Sequence, residues 1–117
     1  MDSILNSIKK MLGIEPDYPQ FDQELILFIN SVFGILYQLG VGDDLTAQFS
    51  ITGPEETWDQ FISLGQIQTV KSYMFMKVKL LFDPPTNSSV LSSYQELIKE
   101  FEWRCNFDSE NLRLSDD

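Results

Sequence analysis

Leu25, Phe28, Ile29, Val32, Leu36 and Leu39 recur at the i, i+3, i+4, i+7 spacing of one helical face, while Ile26, Phe33, Ile35 and Tyr37 fill most of the remaining circumference. A helix apolar on nearly every side has to be covered on nearly every side. Asn30, Ser31 and Gln38 interrupt the run, and it falls short of the roughly 20 apolar residues that a bilayer span requires. The neighbours of this helix must therefore come from the rest of the chain or from other protein.

Helical spacing dominates elsewhere too, divided by turn residues. Ile4, Leu5, Ile8 and Leu12 predict a short amphipathic first helix that stops at Gly13 and the Pro16/Pro19 stretch. Asp22 is placed to cap the apolar helix, and Gly40, Gly42, Asp43 and Asp44 end it. Glu55 and Glu56 are expected in the first turn of a third helix striped by Trp58, Phe61 and Ile62 and closed by Gly65. A fourth helix, about Ile67 to Phe82, carries Ile67, Val70, Met74, Val78 and Leu81 on one arc and Tyr73, Met76 and Leu80 on the other. Asp83, Pro84 and Pro85 stop it. The fifth, about Ser88 to Arg104, has a stripe of Val90, Tyr94, Leu97 and Phe101, with Trp103 pointing away from it. Between the second and third helices Ala47, Phe49 and Ile51 alternate with Gln48, Ser50 and Thr52, the period of a short strand. No other segment reads as its partner, so the segment is either an irregular loop or a strand paired by another chain. The expected fold is all-α, a small bundle of four to five helices with an extended loop or short strand between the second and third. Residues 1–105 form its single domain, and 106–117 read as a flexible acidic tail.

Composition removes several chemistries. Eighteen acidic residues against eight basic ones give a net charge of −10, which disfavours a grip on nucleic-acid phosphate. With no histidine, the commonest general base and most zinc sites are missing, and no cofactor motif is present. Cys105 is the only cysteine, so no internal disulfide forms, in keeping with a reducing cytoplasm. The N-terminal residues do not read as a signal peptide, and the expectation is a soluble intracellular protein without a membrane partner. The carboxylate clusters lack calcium-loop spacing and read as solvated charges. Lys71, Lys77 and Lys79 share no helical face. Asn87, Ser88 and Ser89 match a glycosylation sequon but read as a helix start.

An outward Trp and an unpaired strand are liabilities for a monomer and ordinary at subunit contacts. Phe49, Ile51, Trp58, Trp103 and Arg104 are accordingly the candidate interface residues, and the chain is expected to be an obligate oligomer.

The run ILFINSVFGILYQLGVG (Ile26 to Gly42), the ETW at Glu56 to Trp58, the run VKSYMFMKVKLLFDPPTNS (Val70 to Ser88) and EFEWR (Glu100 to Arg104) resemble the small head–tail connector proteins of long-tailed bacteriophages, also called adaptor or head-completion proteins. The likeness spans roughly Met11 to Arg104 and does not extend to the tail. It implies a structural virion protein of the neck, made in the host cytoplasm, that forms a ring, typically of twelve, beneath the portal. Such a ring would bind the portal protein on one side and a neck or tail-completion protein on the other. Double-stranded DNA would pass through it without specific binding, an acidic wall repelling phosphate. An acidic DNA mimic that inhibits a host DNA-binding defence enzyme is the competing expectation; it requires carboxylates in rows on an exposed face.

Overall fold

Each helix starts and stops for a local reason, and the long connection between them is held by side chains. The computed structural model describes the backbone of residues 2–115 and the side chains of residues 2–105. Ser3 accepts the Asn6 amide and caps α1 (Ile4–Met11). Gly13, at φ 82°, then lets the Ile14 amide reach back to the Lys9 carbonyl at 2.8 Å, so α1 ends on a left-handed glycine. The apolar helix, α2 (Asp22–Gln38), ends the same way at Gly40, where the Val41 amide donates to Leu36. Asp22 does not cap α2: the cap position is Phe21, and Asp22 lies in the first turn, its carboxylate bound elsewhere.

The third helix is one turn, α3 (Trp58–Phe61), begun by a reciprocal pair between Thr57 and Gln60. Glu55 and Glu56 therefore precede it. Gly65 closes nothing, because a 3-10 turn at Leu64–Gln66 feeds directly into α4 (Ile67–Phe82), whose bounds match the sequence expectation. Asn87 accepts the Ser89 and Val90 amides and starts α5 (Ser88–Ser115). The backbone of α5 runs past Arg104, where the loss of apolar periodicity pointed to an end. No Gly or Pro lies between Arg104 and Ser115, and fading amphipathicity is not a stop signal. The expectation of a flexible acidic tail over 106–117 concerns side chains that lie outside the described residues.

The core is a single cluster, with α2 packed against both α1 and α4. Leu25, Ile29, Val32, Phe33 and Leu36 of α2 are buried, as are Val70, Tyr73, Met74 and Val78 of α4. Leu27 and Tyr37 remain exposed, so α2 is covered on most of its circumference rather than all of it. Leu81, expected on the buried arc of α4, is exposed as well, while Leu80 and Phe82 on either side of it pack against the core.

Among the described residues there is no strand, only an isolated antiparallel bridge between Ser3 and Thr57. The alternating segment Ala47–Thr52 is irregular loop, and its buried polar groups are satisfied within the chain. Asn30 of α2 donates from its amide nitrogen to the Ile51 carbonyl at 2.9 Å and accepts the Ile51 amide on its oxygen at 2.8 Å. One side-chain amide thus supplies both bonds that a neighbouring strand would have made. Replacing Asn30 with leucine leaves both Ile51 groups buried and unpaired. The expected cost is roughly 2–3 kcal/mol, with loss of hydrogen-exchange protection at the Ile51 amide. An Asn30→Leu chain that keeps that protection would show that the clamp is incidental.

Candidate functional site

The sequence-derived interface residues separate into two sets. Ile51 and Trp58 are each only 1% exposed. The Trp58 ring lies in the core and its indole N–H donates to Ser7 Oγ at 2.8 Å, tying α3 to α1. Phe49 is half-buried and meets the rings of Phe33 and Phe61 at centroid distances of 5.1 and 5.4 Å. These three side chains are used inside the subunit, and a contact through Ile51 or Trp58 would first have to unpack the core. The unpaired strand is no longer a reason to expect a neighbour, since Asn30 pairs it. Trp103 is different. At 64% exposed it lies on the outer face of α5, with Arg104 exposed beside it and ion-paired to Glu100.

The face around these two residues is shaped by the seam between α4 and α5. Tyr73 stacks on Phe101 with centroids 4.3 Å apart, and its hydroxyl donates to Glu102 at 2.7 Å. Lys77 approaches the same carboxylate at 3.8 Å. Burial, reinforced by the hydrogen bond to Glu102 and by its charge, pushes the Tyr73 phenol far above its ordinary pKa of 10.0. A raised phenol pKa means the neutral form is the folded one. Its contribution is present below the ordinary tyrosine pKa and disappears as the pH rises through the raised one. Tyr73→Phe should cost about 1 kcal/mol. It should also leave the tyrosinate absorbance titration unchanged until alkaline unfolding. A tyrosinate signal that disappears with Tyr73 from the folded protein would contradict this.

Beside the stack is an open groove of about 320 Å³, lined by Ser72, Met76, Leu97 and Phe101, with Glu100 and Arg104 at its rim. A second hollow of about 200 Å³ shares Thr69, Phe101 and Arg104 and continues toward Val41. Apolar floor with a charged rim is the composition of a contact surface.

The remaining charges are mostly engaged inside the chain. Lys71, Lys77 and Lys79 pair with Asp2, Glu102 and Asp83, so none belongs to a basic stripe. Asp43 accepts from Ser63, Asp44 from Thr46 and Asp59 from Thr57. Hydrogen bonds from the Thr46 hydroxyl and amide hold the Asp44 carboxyl below its ordinary value. Glu56 is also lowered: burial works against it, but hydrogen bonds from the Thr52 hydroxyl and from the Glu56, Thr52 and Gly53 amides together outweigh that effect. Among the described residues no three carboxylate or thiol groups converge as cation ligands, and no helix is long and apolar enough to cross a membrane.

One residue escaped the sequence reading. Lys9 is 0% exposed, and its ammonium donates to the carbonyls of Pro16 and Tyr18 at 2.9 and 2.7 Å and to Asp22 Oδ1 at 2.7 Å. Its spacing held the signal: Lys9 lies four residues after Leu5 and three before Leu12, at the edge of the apolar face of α1.

A family described as phage connector protein matches residues 4–112 of the chain. No curated protein and no solved structure matches it.

Proposed function

The chain belongs to the phage connector protein family, a family of virion structural proteins, and from that premise we propose that it forms a closed ring beneath the portal. The ring joins head to tail and prolongs the channel through which the genome is retained and later ejected. The observation that carries this reading is the family match over residues 4–112, and the physical features of the subunit support it. Trp103, Leu97 and Arg104 offer an exposed mixed surface of the kind that subunit contacts use. A subunit of net charge −10 builds an acidic ring, which repels phosphate and lets duplex DNA slide rather than stick. The portal protein on one side and a neck or tail-completion protein on the other are the partners this role requires, and the neck of the virion is its location.

Co-expression with the portal protein encoded nearby tests the reading. A complex in which negative-stain images show a ring of this chain, about twelve subunits by the resemblance of its motifs, is the expected result. A chain that remains single and never associates with a soluble portal would overturn it, as would inhibition of a DNA-binding enzyme by a monomer.

A further inference from the structure

Two surfaces on α5 differ in shape and carry matching charges. One is the groove between α4 and α5, floored by Met76, Leu97 and Phe101 and rimmed by Glu100 and Arg104. The other is a ridge on the outer face, where Trp103 stands with Lys99 and Glu96 one and two turns before it, all three exposed. At 3.6 residues per turn, the groove-lining arc of α5 and the ridge arc are centred about a third of a circumference apart.

We propose that the occupant of the groove is the Trp103 ridge of a second copy of this chain. The inference rests on the ring reading given above and specifies the contact that would close it. The groove holds about 320 Å³, room enough for an indole, and a further hollow of about 200 Å³ shares Thr69, Phe101 and Arg104 with it. Its rim offers one cation and one anion, Arg104 and Glu100, and the ridge offers the opposite pair, Glu96 and Lys99. In the single subunit Arg104 and Glu100 neutralise each other on the surface, side chains 70% and 53% exposed, a pairing weak enough to be exchanged for one across an interface. Because ridge and groove are different surfaces, the contact is head-to-tail: each copy that receives a Trp103 still presents its own. Such a contact continues from copy to copy and gives a ring where its rotation closes, as the ring reading requires.

The test uses the full chain and two variants, each lacking one surface, followed by sedimentation velocity. Trp103→Ala removes the ridge, and Leu97→Asp charges the groove at a position already 51% exposed. Each variant alone should be monomeric, and the two should unfold cooperatively at midpoints close to each other. Mixed one to one, they should form heterodimers and nothing larger, because only one ridge and one groove remain intact between them. Arg104→Glu should also block assembly, and Glu96→Arg in the same chain should restore it. If the parent chain forms rings and Trp103→Ala forms them equally well, the contact is wrong while the ring stands. Assembly defects in both variants without heterodimers on mixing would also overturn it. A parent chain that stays single defeats the ring reading and the contact together.

Discussion

Replacing Lys9 with alanine is expected to lower the unfolding free energy by about 3–5 kcal/mol, a large part of what a domain of this size has available. The reason is asymmetry. The intact site is balanced: one ammonium with three donor positions meets three oxygens, from Pro16, Tyr18 and Asp22, and no proton or lone pair facing it is wasted. Removing the cation leaves a carboxylate at the start of α2 without its counter-ion and two carbonyls of the 12–21 turn without a donor. Lys9→Met separates the two contributions, since it keeps the buried stem and deletes only the charge. Most of the loss should persist in the methionine variant. Arginine should not rescue it, because a planar fork cannot replace a compact ammonium among three convergent acceptors. Urea unfolding of the three variants decides the matter. A change under 1 kcal/mol for Lys9→Ala would mean that the turn relaxes and hydrates freely.

Trp58→Ala is the second large effect, about 3–5 kcal/mol, because it removes the largest fully buried side chain and leaves Ser7 without the indole donor. Trp58→Phe should retain most of the packing and lose only the hydrogen bond, about 1 kcal/mol. The contrast with Trp103 makes this informative. Both residues are tryptophans in an assembling protein, yet one should control stability of the isolated subunit and the other should leave it within about 0.5 kcal/mol. Equal destabilisation by Trp58→Ala and Trp103→Ala would contradict the division between core and surface.

That division shows where sequence reasoning reaches its limit. The bounds of α4 were legible because two independent signals coincide there, an apolar period and the Asp83–Pro84–Pro85 stop. Trp103 was legible because helical spacing alone sets it opposite Tyr94, Ile98 and Phe101, which α5 turns inward, although Val90 and Leu97 of the expected stripe are exposed. Trp58 was not, since a one-turn helix has no far side and its burial is decided by α1, some fifty residues earlier in the chain. The Ala47–Thr52 segment misled for a related reason. Its alternation follows from two side chains, Phe49 and Ile51, turning toward α2, and its pairing comes from Asn30, which in sequence is only a polar gap in an apolar run. Lys9 shows the same limit: the pattern placed it at the boundary of a face, but whether a boundary cation is buried depends on which carbonyls the following turn brings to it.

The bridge between Ser3 and Thr57 has a consequence for synthesis. The Ile4 amide donates to Glu56 and the Trp58 amide to Asp2, so the segment that leads into α1 is fastened to the one that leads into α3, some fifty residues later. On the ribosome, α1 emerges before α2 and α3, and it can dock on α2 while its contact with Trp58 is still to come. Contacts this distant are slow to form, and the part of α1 that meets α3 and α4 stays uncovered during that interval. The tie between α1 and α3 therefore forms later than the contact between α1 and α2.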